Sequence, residues 1–287
     1  MTNVTVITSP SNPKIQYVRA LARRRTRQRE QRFIAEGVRL LEEALRAGTV
    51  PALVFFTGSL GTAARGRVIL ARLRERGVPT LRVSDAVMRA MSDTQTPQGI
   101  LAVLPFPQLA PPPDPSLLLI VDGMRDPGNL GTLLRTAEAA GVQEVFLAPG
   151  TVDLYNPKVV RGAMGTHFRL PVRTEDWAEI ADAVSGMQVL LADARGEQIY
   201  DSVDWRIPSA LIVGGEAEGA SIRARELAVT RVSIPMRGGT ESLNAAIAAA
   251  IILFEAARQR RLALQNGAAS SGEAREDTPR VSSPSRG

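Results

Sequence analysis

Three glycine-bearing loops carry the side chains with which this chain could do chemistry: GMRDPGNLG at 123–131, GGEAEG at 214–219 and MRGGTES at 236–242. In and beside them stand Asn129, Arg135, Glu216, Glu218, Ser242 and Asn244. Amides, hydroxyls and carboxylates of this kind orient a polar ligand, and a guanidinium holds a phosphate or stabilises developing negative charge. Each residue also has a plainer reading. Arg135 could pair with Glu138 three residues on, Asn129 could cap its helix, and the two glutamates could be solvated loop carboxylates. Much other chemistry is closed off. The chain has no cysteine and a single histidine, His167. That removes disulfides, thiolate zinc sites and cysteine nucleophiles, and argues against histidine triads and multi-histidine metal sites. No metal is expected, and His167, in MGTHFRLP, reads as a surface or packing residue. Neither G-x-G-x-x-G nor G-x-x-x-x-G-K-[ST] occurs, so a dinucleotide or triphosphate cofactor is not indicated.

Each loop follows a predicted strand. SLLLIVDG is a continuous apolar run bounded by glycine, Val232, Ile234 and Met236 alternate in VSIPM (232–236) as strand residues do, and VQEVFLAPG, MQVLLADA (187–194) and SALIVGG (209–215) are further predicted strands. Continuous apolar runs are what strands covered on both faces look like. Helices are predicted over LGTLLRTAEAAG and near 156–164, 176–185, 222–228 and 242–260. The alternation gives an open, mostly parallel α/β sheet. In such sheets ligands bind beyond the carboxyl ends of the strands, so the three loops should share one pocket. The last helix holds an apolar run from Ala245 to Phe254, which predicts burial on most sides. The run falls short of the roughly 20 apolar residues that a bilayer requires. Thr240, Glu241, Ser242 and Asn244 at its entry either cap the helix or build a ligand site.

Composition divides the 287 residues into four regions. Residues 1–104 read as a small α/β domain, 105–116 as a proline-rich linker, 117–263 as the sheet domain above, and 264–287 as a disordered tail. The first domain contains ALARRRTRQREQR, whose Arg25, Arg29 and Arg32 share one face of a helix. That face is either simply solvated or a phosphate contact. A net charge of +6 favours a polyanionic partner. With aromatics at 4%, a stacking platform for single-stranded bases is not favoured. The start lacks the pattern of a signal peptide, so a cytoplasmic location is expected.

Together the loops resemble the three signature motifs of the SpoU (TrmH) family of RNA ribose 2′-O-methyltransferases, in the SPOUT superfamily. Asn129-x-Gly131-x-x-x-Arg135 is similar to the first motif and Gly214-Gly215-Glu216-Ala217-Glu218-Gly219 to the second. Ile234-Pro235-Met236 with Glu241-Ser242-Leu243-Asn244 is similar to the third. DLYNPKVVRGAMGTHF (153–168) resembles the segment between motifs. SNPK, the basic helix, FIAEG and TPQGILAV resemble a ribosomal-protein-like substrate-binding domain. Two departures stand out: Gly215 where the family often has asparagine, and Ala245-Ala246-Ile247 where it has Val-Ser-Val.

The resemblance implies an α/β fold whose C-terminal part is a trefoil knot, with the active site completed across a homodimer. It implies S-adenosylmethionine held against Gly215, Ile234, Met236 and Leu243. Arg135 would stand at the reaction centre, Asn129, Ser242 and Asn244 would orient it and the ribose, and Glu216 would support the loop. RNA contacts are expected from Arg23, Arg24, Arg25, Arg27, Arg29, Lys158 and Arg161. Large-subunit rRNA is the expected substrate, with tRNA methylation or an inactive RNA-binding protein as alternatives.

Overall fold

The computed structural model describes residues 5–216, 219–238 and 242–273, with side chains as far as 266. In the N-terminal part the elements are α1 (Pro13–Ala20), α2 (Arg24–Glu30), β1 (Arg32–Glu36), α3 (Val38–Arg46), β2 (Leu53–Thr57), α4 (Gly58–Thr62), α5 (Ala64–Glu75), β3 (Thr80–Val83), α6 (Asp85–Met91) and β4 (Ile100–Pro105). The strands form a sheet in the order β1-β4-β2-β3, antiparallel except for the β2–β3 pair. β1 buries Phe33 and Ala35 by alternation, and α3 buries Leu40, Leu41, Ala44 and Leu45 on one face. The basic segment forms one short helix, α2; Gln31 ends it in the left-handed region and Arg32 opens β1, so Arg25, Arg29 and Arg32 do not share one helical face.

The second part comprises β5 (Leu117–Asp122), α7 (Pro127–Ala139), β6 (Glu144–Leu147), α8 (Pro157–Gly162), β7 (Val172–Thr174), α9 (Trp177–Ala183), β8 (Gln188–Ala192), β9 (Gln198–Ile199), β10 (Ser209–Gly214), α10 (Ile222–Leu227), β11 (Thr230–Ser233) and α11 (Ala245–Glu273). Its seven strands are parallel throughout, in the order β7-β6-β5-β10-β8-β11-β9. β5 and β10 lie inside the sheet, as their unbroken apolar runs require. The edge strands β7 and β9 are two or three residues long and carry no apolar run that would announce them.

Three features differ from the sequence expectation. β11 stops at Ser233, and Ile234 to Met236 continue as loop, since Pro235 has no N–H to extend a ladder. α11 is buried along one stripe only. Ala246, Ala249, Ile252, Leu253 and Ala256 are covered, whereas Ile247 is 49% and Phe254 51% exposed. The helix also runs to Glu273, past Leu264 where composition points to loss of order; Arg261, Leu262, Ala263, Leu264 and Gln265 are good helix formers that prolong it cheaply. Residues 274–287 of that tail lie outside the described residues. Among the described residues no helix is long and apolar enough to cross a membrane.

The two sheets are joined by a shared buried cluster. Val160 and Phe168 pack with Phe33, Leu40 and Leu104, and Phe106 stacks on Tyr155 with ring centroids 3.6 Å apart. Pro105 closes β4, and the Phe106 amide donates to the Gln31 carbonyl, so the proline-rich stretch begins as packed structure. Residues 107–115 have no helix or strand.

His167 lies in this cluster beside Phe33 and Tyr155, a packing residue and not a surface one. Its Nε2 donates to the Leu154 carbonyl at 2.9 Å, and Nδ1 has no partner among the described residues. Burial pushes its pKa down to about 4, against weaker upward pulls from the Leu154 carbonyl and the Asp153 charge. Between pH 6.5 and 4 the unfolded chain therefore binds a proton that the native protein refuses, and stability falls as pH falls through that window. The slope is at most about 1.4 kcal/mol per pH unit. Urea unfolding at pH 7 and 5 should show the loss in the wild-type protein and a flatter profile in His167→Gln.

Candidate active site

The first motif sits on α7, whose N-cap is Asp126: its carboxylate accepts from the Asn129 amide at 2.8 Å, and Pro127 opens the helix. Asn129 is therefore the third helical residue, not the cap. Its side chain is free to face the other loops. Nδ2 donates to Glu216 Oε1 at 2.8 Å, and Oδ1 accepts from Asn244 Nδ2 at 3.1 Å. Asn244 in turn caps α11 through Oδ1, which accepts from Ala246 at 3.0 Å and Ile247 at 3.3 Å. A single relay, Glu216–Asn129–Asn244, ties the ends of β5, β10 and β11 together. Capping and site-building are done by the same side chain.

Beside the relay opens a cavity of about 490 Å³. Gly215, Glu216, Ile234, Met236, Ser242, Leu243 and Asn244 all line it, which unites every expected cofactor contact with three of the expected catalytic residues. Asp193 and Arg225 line it too, 3.5 Å apart, with Arg225 Nε donating to the Ala220 carbonyl. Neither belongs to a glycine loop. Asp193 was nonetheless within reach of sequence reasoning, since it follows β8 directly and strand ends are where ligands bind. Glu218, Thr240 and Glu241 lie outside the described residues.

The cavity wall depends on bare backbone. A Cβ at Gly214 would come within 2.6 Å of the Ala220 nitrogen, and one at Gly215 within 2.6 Å of the Gly123 carbonyl oxygen. This explains the departure at 215: the first and second loops touch where an asparagine would need room. Gly215→Asn is expected to destabilise the fold by about 1–3 kcal/mol, the usual cost of overpacking, and to weaken cofactor binding with it. Thermal unfolding and calorimetry would check both.

Arg135 is not brought to the cavity within one chain. Six residues of helix separate it from Asn129, about 9 Å along the axis and about a third of a turn around it. Its exposed guanidinium lines a shallow depression with Arg39, Glu43, Glu138, Met164 and Arg169. Nor does it pair with Glu138, whose carboxylate accepts from Thr166 and Arg169. Burial raises the Glu138 pKa, but these bonds and the Arg169 charge outweigh it and hold the carboxyl below its ordinary range.

Of the residues expected at RNA, Arg23, Arg24, Arg25 and Arg29 are exposed on or beside α2, and Lys158 and Arg161 are exposed on α8. Arg27 is a correction. Its guanidinium is buried, donates to the Leu21 and Ala22 carbonyls, and forms an ion pair with Asp153 of the second domain. It holds the domains together and is closed to phosphate.

Two family models match the chain: the SpoU rRNA Methylase family over residues 116–254 and the MRM3-like substrate binding domain over 12–102. The chain is also 33% identical to the 23S rRNA guanosine 2′-O-methyltransferase RlmP of Bacillus subtilis, across 86% of this chain and 97% of that protein. The chain belongs to the SpoU rRNA methylase family. It is 32% identical to human mitochondrial rRNA methyltransferase 3, across 88% of this chain and 74% of that one. The crystal structure of the SpoU methyltransferase AviRb from Streptomyces viridochromogenes, in complex with AdoMet, superposes with a TM-score of 0.78 at 30% identity, covering 87% of this chain and 98% of that one.

As a SpoU protein this chain uses S-adenosylmethionine, and its cavity suits that molecule. The volume is within the roughly 300–1,000 Å³ of small-molecule sites. Val213, Val232, Ile234 and Leu243 offer an apolar wall for a flat base, while Asp193, Arg225 and open glycine backbone offer partners for hydroxyl, amino and carboxylate groups. Among the described residues no group of three or more potential ligands could hold a metal ion.

Proposed function

We propose that this protein methylates the ribose 2′-hydroxyl of a nucleotide in large-subunit rRNA. The observation that carries the reading is the convergence of the three motif loops, through Glu216, Asn129 and Asn244, on a cofactor-sized cavity. The bound cofactor supplies a methyl group activated by a sulfonium. What remains for the protein is positioning, and help in removing one hydroxyl proton. Asn129, Ser242 and Asn244 supply donors and acceptors for a ribose at the cavity mouth. A guanidinium stays charged at any working pH, so Arg135 serves by holding the phosphate and stabilising developing alkoxide charge, not as a base. The 2′-hydroxyl makes the substrate RNA. The choice of rRNA rests on the substrate-binding domain and on the named substrates of the relatives.

The working unit is a homodimer in this reading. Within one chain Arg135 faces away from the cavity, and α11 presents Ile247 and Phe254 to solvent beside the site. A second copy that covered this stripe would both bury it and bring in an arginine. Phe254→Glu should then shift the protein to monomer in sedimentation and remove activity. The C-terminal trefoil knot belongs to the same reading. Its support is the return of α11 from the far side of β8 to the start of β5, where Arg260 donates to the Ser116 carbonyl and hydroxyl. The reaction is placed in the cytoplasm, with the rRNA.

Mapping 2′-O-methyl sites in rRNA and tRNA from cells with and without the protein tests the proposal. One rRNA site should vanish with the protein. A lost tRNA site and intact rRNA would overturn the substrate. Absence of S-adenosylmethionine binding at millimolar concentration would point to the inactive RNA-binding alternative.

A further inference from the structure

A second cleft, of about 510 Å³, opens between the two domains and has no part in the cofactor site. Arg19 of α1 stands on one wall, and Lys158 and Arg161 of α8 on the other. All three are exposed; Arg19 and Lys158 have no ion pair among the described residues, and Arg161 approaches Asp93 only to 3.9 Å. The cleft's other carboxylate is already engaged. Glu36 accepts from Ser92 at 2.6 Å, Thr94 at 3.2 Å and the Gln98 amide at 3.0 Å. The floor is apolar, built from Ile34, Leu40, Met91 and Val160. Two cations without an ion pair among the described residues, and a third that Asp93 holds only at 3.9 Å, stand around an apolar floor and are the complement of one nucleotide: a flat base on a charged backbone.

We propose that this cleft holds an unpaired nucleotide of the RNA close to the one that is methylated. Its base rests on the floor, and its phosphate is held by Arg19, Lys158 and Arg161. The inference rests on the RNA methyltransferase reading and adds to it a second, non-reacting subsite. Position supports the assignment. Pro127 lines the cleft and is followed two residues later by Asn129, the centre of the relay at the cofactor cavity, so the two cavities are neighbours across the start of α7. Ala22, also on the cleft, precedes the run of exposed arginines on α2, which continues the cationic track outward. One wall comes from each domain. The buried Arg27–Asp153 pair joins the two domains that supply those walls.

The test uses the full chain and a fluorescein-labelled oligouridine of about twelve residues, titrated over a series of salt concentrations. Arg19→Ala, Lys158→Ala and Arg161→Ala are each expected to weaken binding about five- to tenfold and to lower the salt slope by about 0.7. Ala90→Trp fills the cleft without changing charge, so affinity should fall with the slope unchanged. Arg74→Ala, exposed on α5 and outside the cleft, should change neither. Wild-type affinity in the triple alanine variant or in Ala90→Trp would overturn the subsite, as would equal competition by a fully paired RNA duplex of the same length. Calorimetry with S-adenosylmethionine separates the two readings. Every cleft variant should bind the cofactor as the wild type does, whereas a wild-type protein that binds oligouridine in the cleft but no cofactor would overturn the methyltransferase reading alone.

Discussion

Arg135→Ala is expected to lower kcat for methyl transfer by about a hundred- to a thousandfold, the range for removing one group that stabilises developing charge. S-adenosylmethionine affinity should stay at the wild-type level, because the guanidinium lies outside the cavity. The sharper form of the prediction comes from the geometry of the single chain. If Arg135 acts on a cavity in a second copy, two differently disabled variants must rescue each other. Ala248→Trp would block the cavity and leave Arg135 intact. Mixed in equal amounts with Arg135→Ala and allowed to exchange, half of the dimers pair one of each variant. Each such dimer has one site with both an open cavity and an arginine, so about a quarter of wild-type activity should return. Steady-state rates on an rRNA fragment, before and after exchange, decide it. No rescue, with both variants dimeric and folded, would place the arginine and the cavity of one working site in the same chain. Undiminished activity of Arg135→Ala would remove the residue from the reaction.

What could be read from sequence, and what could not, follows from the range of each interaction. β5, β10 and α7 were legible because apolar periodicity is a local property, and the three loops that follow strands were legible as one site because parallel sheets place ligands at strand ends. β9 was not, since its two residues gain their pairing with β11 only from the tertiary fold. At Asn129 the local rule misled by a single step. Asp126, three residues earlier, is an equally good cap, and once it takes that role the asparagine is released for the relay. The stripe on α11 shows the same limit from the other side. A continuous apolar run does not say which residues face the core and which are left for a partner, and Phe254 is left. Charge was the least legible feature. Arg27 sits among five other arginines with nothing in its neighbourhood to mark it, and its partner, Asp153, is 126 positions away.

Among the described residues, that pair gives the largest stability effect expected of any single ion pair. The Arg27 side chain is 4% exposed, and it donates from Nε to Asp153 at 3.1 Å and from Nη1 to the Leu21 and Ala22 carbonyls at 2.8 and 2.7 Å. Arg27→Ala strands a nearly buried carboxylate and two carbonyls at once. Removing one partner of such a pair costs about 3–5 kcal/mol, and the lower end applies because the Arg24 guanidinium is only 3.8 Å from Asp153 and can partly replace the charge. Replacing both partners with apolar residues, Arg27→Met with Asp153→Leu, should cost much less than Arg27→Ala, since no charge is then left without a partner. Arg27→Lys should fall between, because an ammonium cannot reproduce the guanidinium fork. Urea unfolding measures all three. The RNA side of the prediction separates Arg27 from its neighbours. Arg25→Ala should lower the salt slope of RNA binding and leave stability unchanged, whereas Arg27→Lys should lower stability and leave the slope unchanged. A reduced slope in Arg27→Lys would mean that the guanidinium reaches the RNA after all, and that the domain junction opens to let it.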